Sequence, residues 1–292
     1  MRLIRFGILC LLALAAVVTL RDVARSLLQQ ERSTTSRETL DAREAAPGSA
    51  TPSPSFNPTP YWLARHEKGD LEEYSWWRVE GSATGVVHVV ADPTGAGRGF
   101  VLKGEITGAA PAGGDSHRLY PVLMLPEAYR GSYRSVFRVW ADLPPASERG
   151  WFSFATYTNR RDWKDLFGVN LGFEQGEDRL VLFHVPVFGK GSFTRISTIP
   201  FPKRQWVTVE VRVDRSGVLL FQDDRLIAEA RKDWGPEGVG LCEAHWGLYA
   251  QGKNSRGVVL NDDVEVYFDR PVAGEPVKIR GTSPPGAKTR GP

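Results

Sequence analysis

The sequence predicts an all-β fold, a two-sheet antiparallel jelly-roll sandwich, and three observations favour this prediction. Short apolar segments with strand-like alternation follow one another through most of the chain, and turn signals separate them. Aromatic residues reach 11% of the sequence, with nine Trp, and such residues suit strands better than helices. The chain also contains 30 Gly and 20 Pro, which suit the many turns of a sandwich.

The strand candidates lie between residues 61 and 270 and are short. In chain order they are Val86–Ala91, Phe100–Ile106, Arg118–Leu125, Tyr133–Trp140, Trp151–Tyr157, Phe167–Phe173, Leu180–Val187, Phe193–Ile199, Trp206–Asp214, Val218–Gln222, Arg225–Glu229, Val239–Gln251 and Val258–Phe268. In Phe167–Phe173 the large apolar side chains take every second position, as in a strand that is buried on one face. The best candidate for a helical fragment is Arg161–Leu166, and it is short.

The first 25 residues have the pattern of an export signal. Arg2 and Arg5 precede an apolar run, Phe6–Leu20, which suits the core of a signal peptide and is short for a spanning helix. No clear cleavage site follows the run. Residues 1–25 are therefore either a signal peptide or an uncleaved signal-anchor. Both readings predict an exported protein that is periplasmic, at the cell surface or secreted, with the membrane as a partner where the segment is retained.

The remaining chain divides into a tether, a folded domain and a tail. Residues 26–60 are charged at first and then rich in Pro and Ser, which predicts a linker without a core of its own. Residues 61–270 hold the strand candidates and are expected to form the jelly-roll domain. Residues 271–292 are rich in Gly, Pro and basic residues and are expected to be a disordered tail.

Charge and cysteine content exclude several classes of function. The formal net charge is +3 and the charges are interspersed, without a block of Lys and Arg or a base-stacking motif, so nucleic acid is not an expected partner. The two cysteines, Cys10 and Cys242, cannot form a disulfide framework or a zinc site. We expect a monomer.

The segment Cys242–Gln251 is the most informative stretch, because it alternates as a strand does. One face is apolar and includes Trp246. The other face carries a carboxylate, an imidazole, a glycine, a phenol and an amide, in the order Glu243, His245, Gly247, Tyr249 and Gln251. A glycine there would let a ligand approach the backbone closely. This face is predicted to be the floor of a site, and an ordinary polar strand face is the alternative.

Several motifs resemble those of carbohydrate-active proteins. The segment Glu67–Tyr74 resembles the E-x-G-D-L-x-x-W start of many secreted jelly-roll carbohydrate domains. Four later segments resemble the C-terminal half of the concanavalin A-like lectin/glucanase superfamily, namely Gln205–Val211, Gly217–Gln222, His245–Tyr249 and Asn261–Val266. Within that superfamily the likeness is to polysaccharide lyases of the heparin lyase I and alginate lyase type, because Trp246–Gln251 resembles the K-A-G-x-Y-x-Q strand of alginate lyases. The resemblance spans roughly residues 65–268.

The resemblance implies a polysaccharide lyase that cleaves an acidic, uronate-containing polysaccharide by β-elimination outside the cytoplasm. Such an enzyme removes the proton next to the carboxylate, expels the glycosidic oxygen and neutralises the substrate carboxylate. Tyr249 is the expected base and acid, Arg118 the expected cation beside it, and His245 their expected catalytic neighbour. The residues expected to bind substrate in the same cleft are His117, Tyr120, Asn170, Glu243 and Gln251.

The chain departs from the alginate lyase pattern at two places. Those lyases usually carry an R-x-E-x-R strand, whose place here is taken by His117–Pro121, without the glutamate and the second arginine. They also carry Gln-x-His, which this sequence lacks. The nearest counterpart, Phe183–Val185, contains His184, which we interpret as a structural histidine. The lyase scaffold with different or lost chemistry therefore stays open.

Two other functions remain as alternatives. A non-catalytic carbohydrate-binding or surface-display module would explain the N-terminal segment, the linker, the many Trp residues and the incomplete catalytic set. A glycoside hydrolase would need two carboxylates on one face, and the segment Glu174–Asp178 does not match the superfamily's Glu-x-Asp-x-x-Glu strand.

The resemblance also implies a structural calcium ion. In many jelly-roll carbohydrate domains the first and last strands meet at a metal held by carboxylate and carbonyl oxygens, which are ligands that calcium prefers. Asp70 and Asp263 would supply the side chains in this chain. No other cofactor is expected.

Overall fold

The structure is a computed structural model, and it describes residues 55–80, 85–107, 116–144, 151–163, 165–174, 176–185, 193–232, 234, 238–251 and 256–279. The predicted signal segment, most of the predicted linker and the last part of the predicted tail lie outside these residues. Within the described part of the chain, no helix is long and apolar enough to cross a membrane.

Strands account for the regular structure of the described residues, which confirms the all-β prediction. They are β1 (Trp62–Ala64), β2 (Trp76–Glu80), β3 (Gly85–Ala91), β4 (Phe100–Ile106), β5 (Ser116–Arg130), β6 (Tyr133–Asp142), β7 (Trp151–Thr158), β8 (Leu166–Glu174), β9 (Glu177–Val185), β10 (Phe193–Pro200), β11 (Val207–Val213), β12 (Gly217–Gln222), β13 (Arg225–Arg231), β14 (Gly240–Gln251) and β15 (Gly257–Phe268).

The strands form two antiparallel sheets that pack face to face, which confirms the predicted two-sheet sandwich. One sheet has eight strands in the order β13-β12-β11-β6-β15-β4-β3, with β1 also paired to β15. The other has seven strands in the order β10-β9-β8-β7-β14-β5-β2. Because β14 lies between β7 and β5, the strand that the sequence singled out is in the middle of the seven-stranded sheet.

Alternation along each strand builds the core between the sheets. In β6, buried and half-buried residues alternate along the whole strand, as expected when one face of a strand packs against another sheet. The fully buried indole of Trp246 on β14 connects the two layers. It stacks on Trp62 of β1 with 5.3 Å between ring centroids, and it meets Tyr157 of β7 edge-on at 6.0 Å.

The described residues of Arg161–Leu166 do not form the predicted helical fragment. Arg161 and Asp162 lie in a turn between β7 and β8, and β8 begins at Leu166. The hydroxyl of Thr158 donates a hydrogen bond to the backbone carbonyl of Asp165 at 2.8 Å. This side-chain contact closes the connection as a loop and offers its backbone an alternative to helical hydrogen bonds.

Residues 271–279, which the sequence predicts to be frayed, are attached to the sandwich. The backbone N–H of Val277 donates to the carbonyl of Met124 at 2.9 Å, and that of Ile279 donates to the carbonyl of Ser75 at 2.8 Å. The side chain of Ile279 also packs on the outer face of the seven-stranded sheet. Composition alone could not reveal these pairings, because their partners lie far away in the sequence.

Truncating Trp246 to Ala should lower the free energy of unfolding by about 3–5 kcal/mol, because the change leaves a cavity between the two sheets. Urea denaturation of the purified chain measures this loss. Leu226→Ala is the control, since Leu226 is 45% exposed, and its effect should stay within about 0.5 kcal/mol. A loss below about 1 kcal/mol for Trp246→Ala would contradict the packing described here.

Candidate functional site

The candidate site lies on the outer face of the seven-stranded sheet, where β14 runs between β5 and β7. Trp246 and Leu248 of β14 point into the core and are fully buried. By alternation, Glu243, His245 and Tyr249 lie on the opposite face. The two faces of β14 are therefore those that the sequence predicts.

Strand pairing aligns four polar side chains across this face. Tyr249 of β14 pairs with Arg118 of β5 on one side and with Ser153 of β7 on the other, and Ser153 pairs with Asn170 of β8. Directly paired residues share a face, so these four residues form a line across four strands, here called the tyrosine row. The structure thus brings together Arg118, Tyr249 and Asn170, which the sequence analysis assigned to one cleft.

Arg118 and Tyr120 surround the phenol of Tyr249. The guanidinium carbon of Arg118 lies 5.6 Å from the centroid of the Tyr249 ring. The ring of Tyr120 approaches Tyr249 edge-on, with 6.1 Å between centroids. Tyr249 itself is half-buried, so part of its side chain remains accessible. The guanidinium group of Arg118 therefore places a positive charge beside the accessible part of this face.

His245 is packed between aromatic rings and is only 3% exposed. Its imidazole lies parallel to the ring of Tyr120, with 3.8 Å between centroids and an interplanar angle of 10°. The indole of Trp163 contacts it as well, at 5.5 Å. This geometry makes His245 part of the wall beside the tyrosine row, and it leaves little of the imidazole for contact with a substrate.

Glu243 is also only 3% exposed, and its contacts are with protein groups. Its Oε2 accepts a hydrogen bond from the indole Nε1 of Trp163 at 2.7 Å, and Arg161 lies 3.8 Å from its other oxygen. Burial raises the pKa of the Glu243 carboxyl, although Trp163 and Arg161 both oppose this shift. Direct binding of a substrate by Glu243 stays a prediction.

Gly247 allows close packing against β5, and the approach of a ligand to its backbone stays a prediction. Its φ of 116° is in the region that favours glycine. A Cβ at this position would lie 2.9 Å from the carbonyl oxygen of Leu119 and 3.4 Å from Cβ of Tyr120. The neighbouring strand β5 therefore occupies the place that a Cβ of residue 247 would take.

Two of the predicted binding residues have only their backbones described. His117 pairs with Ala250 and Gln251 pairs with Ser116, so both lie at the same end of the β5–β14 pair. Their side chains lie outside the described residues, and their predicted roles stay predictions.

Sequence analysis missed several residues of this face. The hydroxyls of Ser153 and Thr156 on β7 lie 3.2 Å apart in a hydrogen bond and form part of the floor. The ring of Phe183 on β9 lies over Gly168, where an added Cβ would be 2.8 Å from it. A glycine within a strand often indicates such a close approach, so Gly168 was the available signal.

His184 has polar partners, in line with the structural role assigned to it. Its Nε2 lies 2.6 Å from Asp165 Oδ1, and the ammonium group of Lys232 also contacts it. The hydrogen bond between the His184 imidazole and the Asp165 carboxylate is the main cause of the lowered pKa of Asp165. Burial lowers the pKa of Lys232. The cluster links the β8–β9 pair to the end of β13.

The proposed calcium ligands have partners of their own. Oδ1 of Asp70 accepts a hydrogen bond from the backbone N–H of Glu72 at 2.9 Å. The carboxylate of Asp263 lies 3.4 Å from Arg98 and 3.5 Å from Arg138. The described residues contain no group of three or more His, Cys, Asp or Glu side chains suited to a metal. Calcium at Asp70 and Asp263 stays a prediction, and an ion there would compete with two guanidinium groups.

A buried polar chain crosses the same junction of first and last strands. The hydroxyl of Tyr74 lies 3.0 Å from His66 Nε2, His66 Nδ1 lies 3.7 Å from Asp262, and Asp262 pairs with Arg98 at 2.9 Å. Burial alone would raise the pKa of the Asp262 carboxyl, but hydrogen bonds from His66 and Arg98 outweigh it and lower that pKa. The ion pair between Arg98 and Asp262 therefore stabilises this junction.

Comparisons with known proteins find similarity only among solved structures. No protein-family model matches the chain, and no curated protein matches it. One similar structure is the cellulose induced protein Cip1, with 11% identity over 70% of this chain and 95% of that chain and a TM-score of 0.48. Another is the alginate lyase AlyC3, with 12% identity over 57% of this chain and 74% of that one and a TM-score of 0.44.

A third similar structure is a family 7 alginate lyase, A1-II', in complex with substrate. It has 12% identity over 66% of this chain and 85% of that chain, with a TM-score of 0.44. These neighbours include the type of protein whose motifs β14 resembles. Because all three TM-scores are below 0.5, no conclusion about activity rests on them.

Replacing Arg98 with Met should lower the free energy of unfolding by about 3–5 kcal/mol at neutral pH, because the buried Asp262 charge loses the guanidinium among its partners. Since the pKa of Asp262 is lowered in the folded state, this stabilisation is present above the unfolded pKa of about 3.9 and is lost as the pH falls through the folded value. The difference between the two chains should therefore shrink below about pH 4.

Urea denaturation at neutral and acidic pH measures this difference. Arg204→Met is the matched control, because Arg204 pairs with Asp142 at the surface and should show no measurable loss. An equal loss for Arg98→Met at both pH values would show that the guanidinium acts through packing alone.

Proposed function

We propose that the protein is an exported polysaccharide lyase-like protein that cleaves a uronate-containing polysaccharide by β-elimination on the outer face of the seven-stranded sheet. The observation that supports it best is the tyrosine row, in which a phenol lies between a guanidinium group and small polar side chains. Elimination next to a carboxylate requires this combination of a proton carrier and groups that stabilise negative charge.

Tyr249 carries the proton in the proposed reaction. Its phenolate takes the proton from the carbon next to the substrate carboxylate, and the C–H electron pair forms a new C=C bond. The bond from the adjacent carbon to the glycosidic oxygen then breaks. The phenol donates its proton to that oxygen, so Tyr249 returns to the phenolate and no water is consumed. Proton transfer of this kind requires a side chain within hydrogen-bond reach of both atoms, and Tyr249 is half-buried, so part of its side chain is accessible to a substrate.

Arg118 is the proposed partner of the substrate carboxylate, and Asn170 is the proposed partner of a hydroxyl group of the sugar chain. They lie on opposite sides of Tyr249 in the tyrosine row, and Asn170 is two strands away, about 10 Å by the spacing of strands. The carboxamide oxygen of Asn170 is buried and has no hydrogen-bond partner among the described residues, so it can accept a hydrogen bond from a sugar hydroxyl. Arg118 supplies the positive charge that stabilises the enolate-like intermediate.

A non-catalytic carbohydrate-binding module is the second candidate, and one observation favours it. Glu243 and His245, two of the ionisable side chains near Tyr249, are both buried against other protein groups. If Tyr249 alone remains accessible, the same face would bind acidic sugars through Arg118, Asn170 and its aromatic residues without cleaving them.

The reaction is tested by the ultraviolet absorbance of unsaturated uronate products. The full chain, purified in mild detergent, is incubated with a panel of anionic polysaccharides, with and without calcium. We expect absorbance to rise with at least one polymer, and we expect Tyr249→Phe to reduce the rate by at least about a hundredfold, because the proton carrier is lost. Arg118→Gln should also reduce the rate, by about 10²–10³.

Tyr61→Phe is the matched control for the loss of a phenol. The hydroxyl of Tyr61 donates to the carbonyl of Gly274 at 3.0 Å, far from the tyrosine row in the sheet order, so its removal should leave the rate unchanged. A flat trace on every polymer, with one polymer still bound, would reject the lyase and leave the binding module. New reducing ends without absorbance would indicate a hydrolase.

A further inference from the structure

We propose that the indole of Trp163 forms a wall of the carbohydrate site and that the buried carboxylate of Glu243 is the positioning residue that holds it there. This inference rests on the proposed function, because it assumes that the outer face of the seven-stranded sheet binds a sugar chain. It assigns Glu243 a role through Trp163, in place of the direct substrate contact that the sequence predicts.

The loop that carries Trp163 is fixed at several points. The hydroxyl of Thr158 accepts a hydrogen bond from the backbone N–H of Arg160 at 3.1 Å and donates to the carbonyl of Asp165. The guanidinium group of Arg161 donates to the carbonyls of Leu125 and Pro126 on β5 at 2.8 and 2.9 Å. The loop is therefore anchored to the strand on the far side of β14, and it spans the outer face.

The backbone of Trp163 adopts a conformation that its side chain disfavours. Its φ is 55°, in the left-handed region, where the Cβ of a residue other than glycine meets steric conflict. Such conformations persist where the surroundings over-determine them, and they concentrate at binding sites. Here the surroundings include the hydrogen bond from the indole N–H to Glu243.

The environment of Glu243 is unusual for a carboxylate. It faces the same side of the sheet as Val122 and Met124, and it is nearly inaccessible to water. A buried charge in such surroundings is unfavourable unless hydrogen bonds compensate it. The 2.7 Å bond from Trp163 is charge-assisted and directional, and Arg161 adds a nearby positive charge. The carboxylate therefore fixes both the depth and the angle of the indole.

The indole of Trp163 lies where it can contact a ligand that is bound at the tyrosine row. It packs in the same outer-face cluster as Tyr120 and Tyr249, and it lies against His245. Trp163 is half-buried, so part of its ring remains open to solvent. Rigid aromatic walls with a few polar groups are what binding sites for small ligands commonly use. The wall is thus continuous from Trp163 through His245 and Tyr120 to Tyr249.

Four variants distinguish the effect of the Glu243 carboxylate from the effect of the Trp163 ring. Glu243→Gln keeps an oxygen that accepts from the indole, whereas Glu243→Leu removes it. Trp163→Phe keeps an aromatic ring without the N–H, and Trp163→Ala removes the wall. We expect Glu243→Leu and Trp163→Ala each to raise KM about tenfold with little change in kcat, and Glu243→Gln to stay within about twofold of the wild type.

The double variant Glu243→Leu/Trp163→Ala should be no worse than Trp163→Ala alone, because the carboxylate acts through the ring. Trp206→Phe is the matched control: its indole Nε1 donates to Thr94 at 3.0 Å at the start of β11, in the other sheet, and KM should not change. Thermal unfolding of each variant shows that it is folded. A folded Glu243→Leu chain with unchanged KM and unchanged polysaccharide binding would overturn the inference.

An NMR readout keeps this test distinct from the test of the proposed function. The indole N–H resonance of Trp163 should be shifted downfield by its bond to the carboxylate, should persist in Glu243→Gln and should move in Glu243→Leu. If the resonance is unaffected by Glu243→Leu, the positioning role is wrong, even where the polymer is cleaved. If the wild-type chain binds no polysaccharide, both the proposed function and the role of Trp163 as a wall of the site are wrong. The indole N–H resonance of Trp163 would still test the positioning role of Glu243.

Discussion

The packing of Trp246 between the two sheets is the constraint on which the rest of the structure depends. Its indole contacts Trp62 from one sheet and Tyr157 from the other, so β14 is held in a single register. A slip of one residue would exchange the two faces of the strand and turn Tyr249 into the core. The polar residues of the outer face therefore need no interaction of their own to point outward.

The outer face combines an open part with a closed part, and the difference follows from local packing. Around Tyr249 the neighbouring positions on β7 and β8 carry the small polar side chains of Ser153 and Asn170. Around His245 the rings of Tyr120 and Trp163 exclude water. A site with one accessible phenol beside a rigid aromatic wall suits recognition of a sugar ring, and it leaves a single side chain to carry the proton.

Periodicity was sufficient to predict the sandwich and the orientation of β14, because both depend on which residues alternate. The resemblance to polysaccharide lyases, in contrast, was what assigned Arg118, Tyr249 and Asn170 to one cleft. Periodicity could not predict the role of Gly247, since the close approach of β5 at Leu119 depends on pairing between strands more than a hundred residues apart. Ser153 was not predicted for a related reason. The register shifts beside it in the pairing of β7 with β14 and in the pairing of β7 with β8.

Two further features of the structure could not be predicted from composition or local pattern. Residues 271–279 have the composition of a tail, yet their backbone pairs beside β5. The contact of Trp163 with Glu243 joins residues that are 80 apart in sequence and requires a left-handed backbone, and no local pattern encodes either feature. Pairwise contacts of this kind are properties of the folded chain.

The most direct test of the central claim is a two-dimensional NMR titration of the isotopically labelled chain with a uronate oligosaccharide. We expect the resonances of Tyr249, Arg118 and Asn170 to change together and to saturate at one concentration, whether or not the ligand is cleaved. Changes confined to the outer face of the eight-stranded sheet, at residues such as Phe221 and Tyr267, would contradict the central claim.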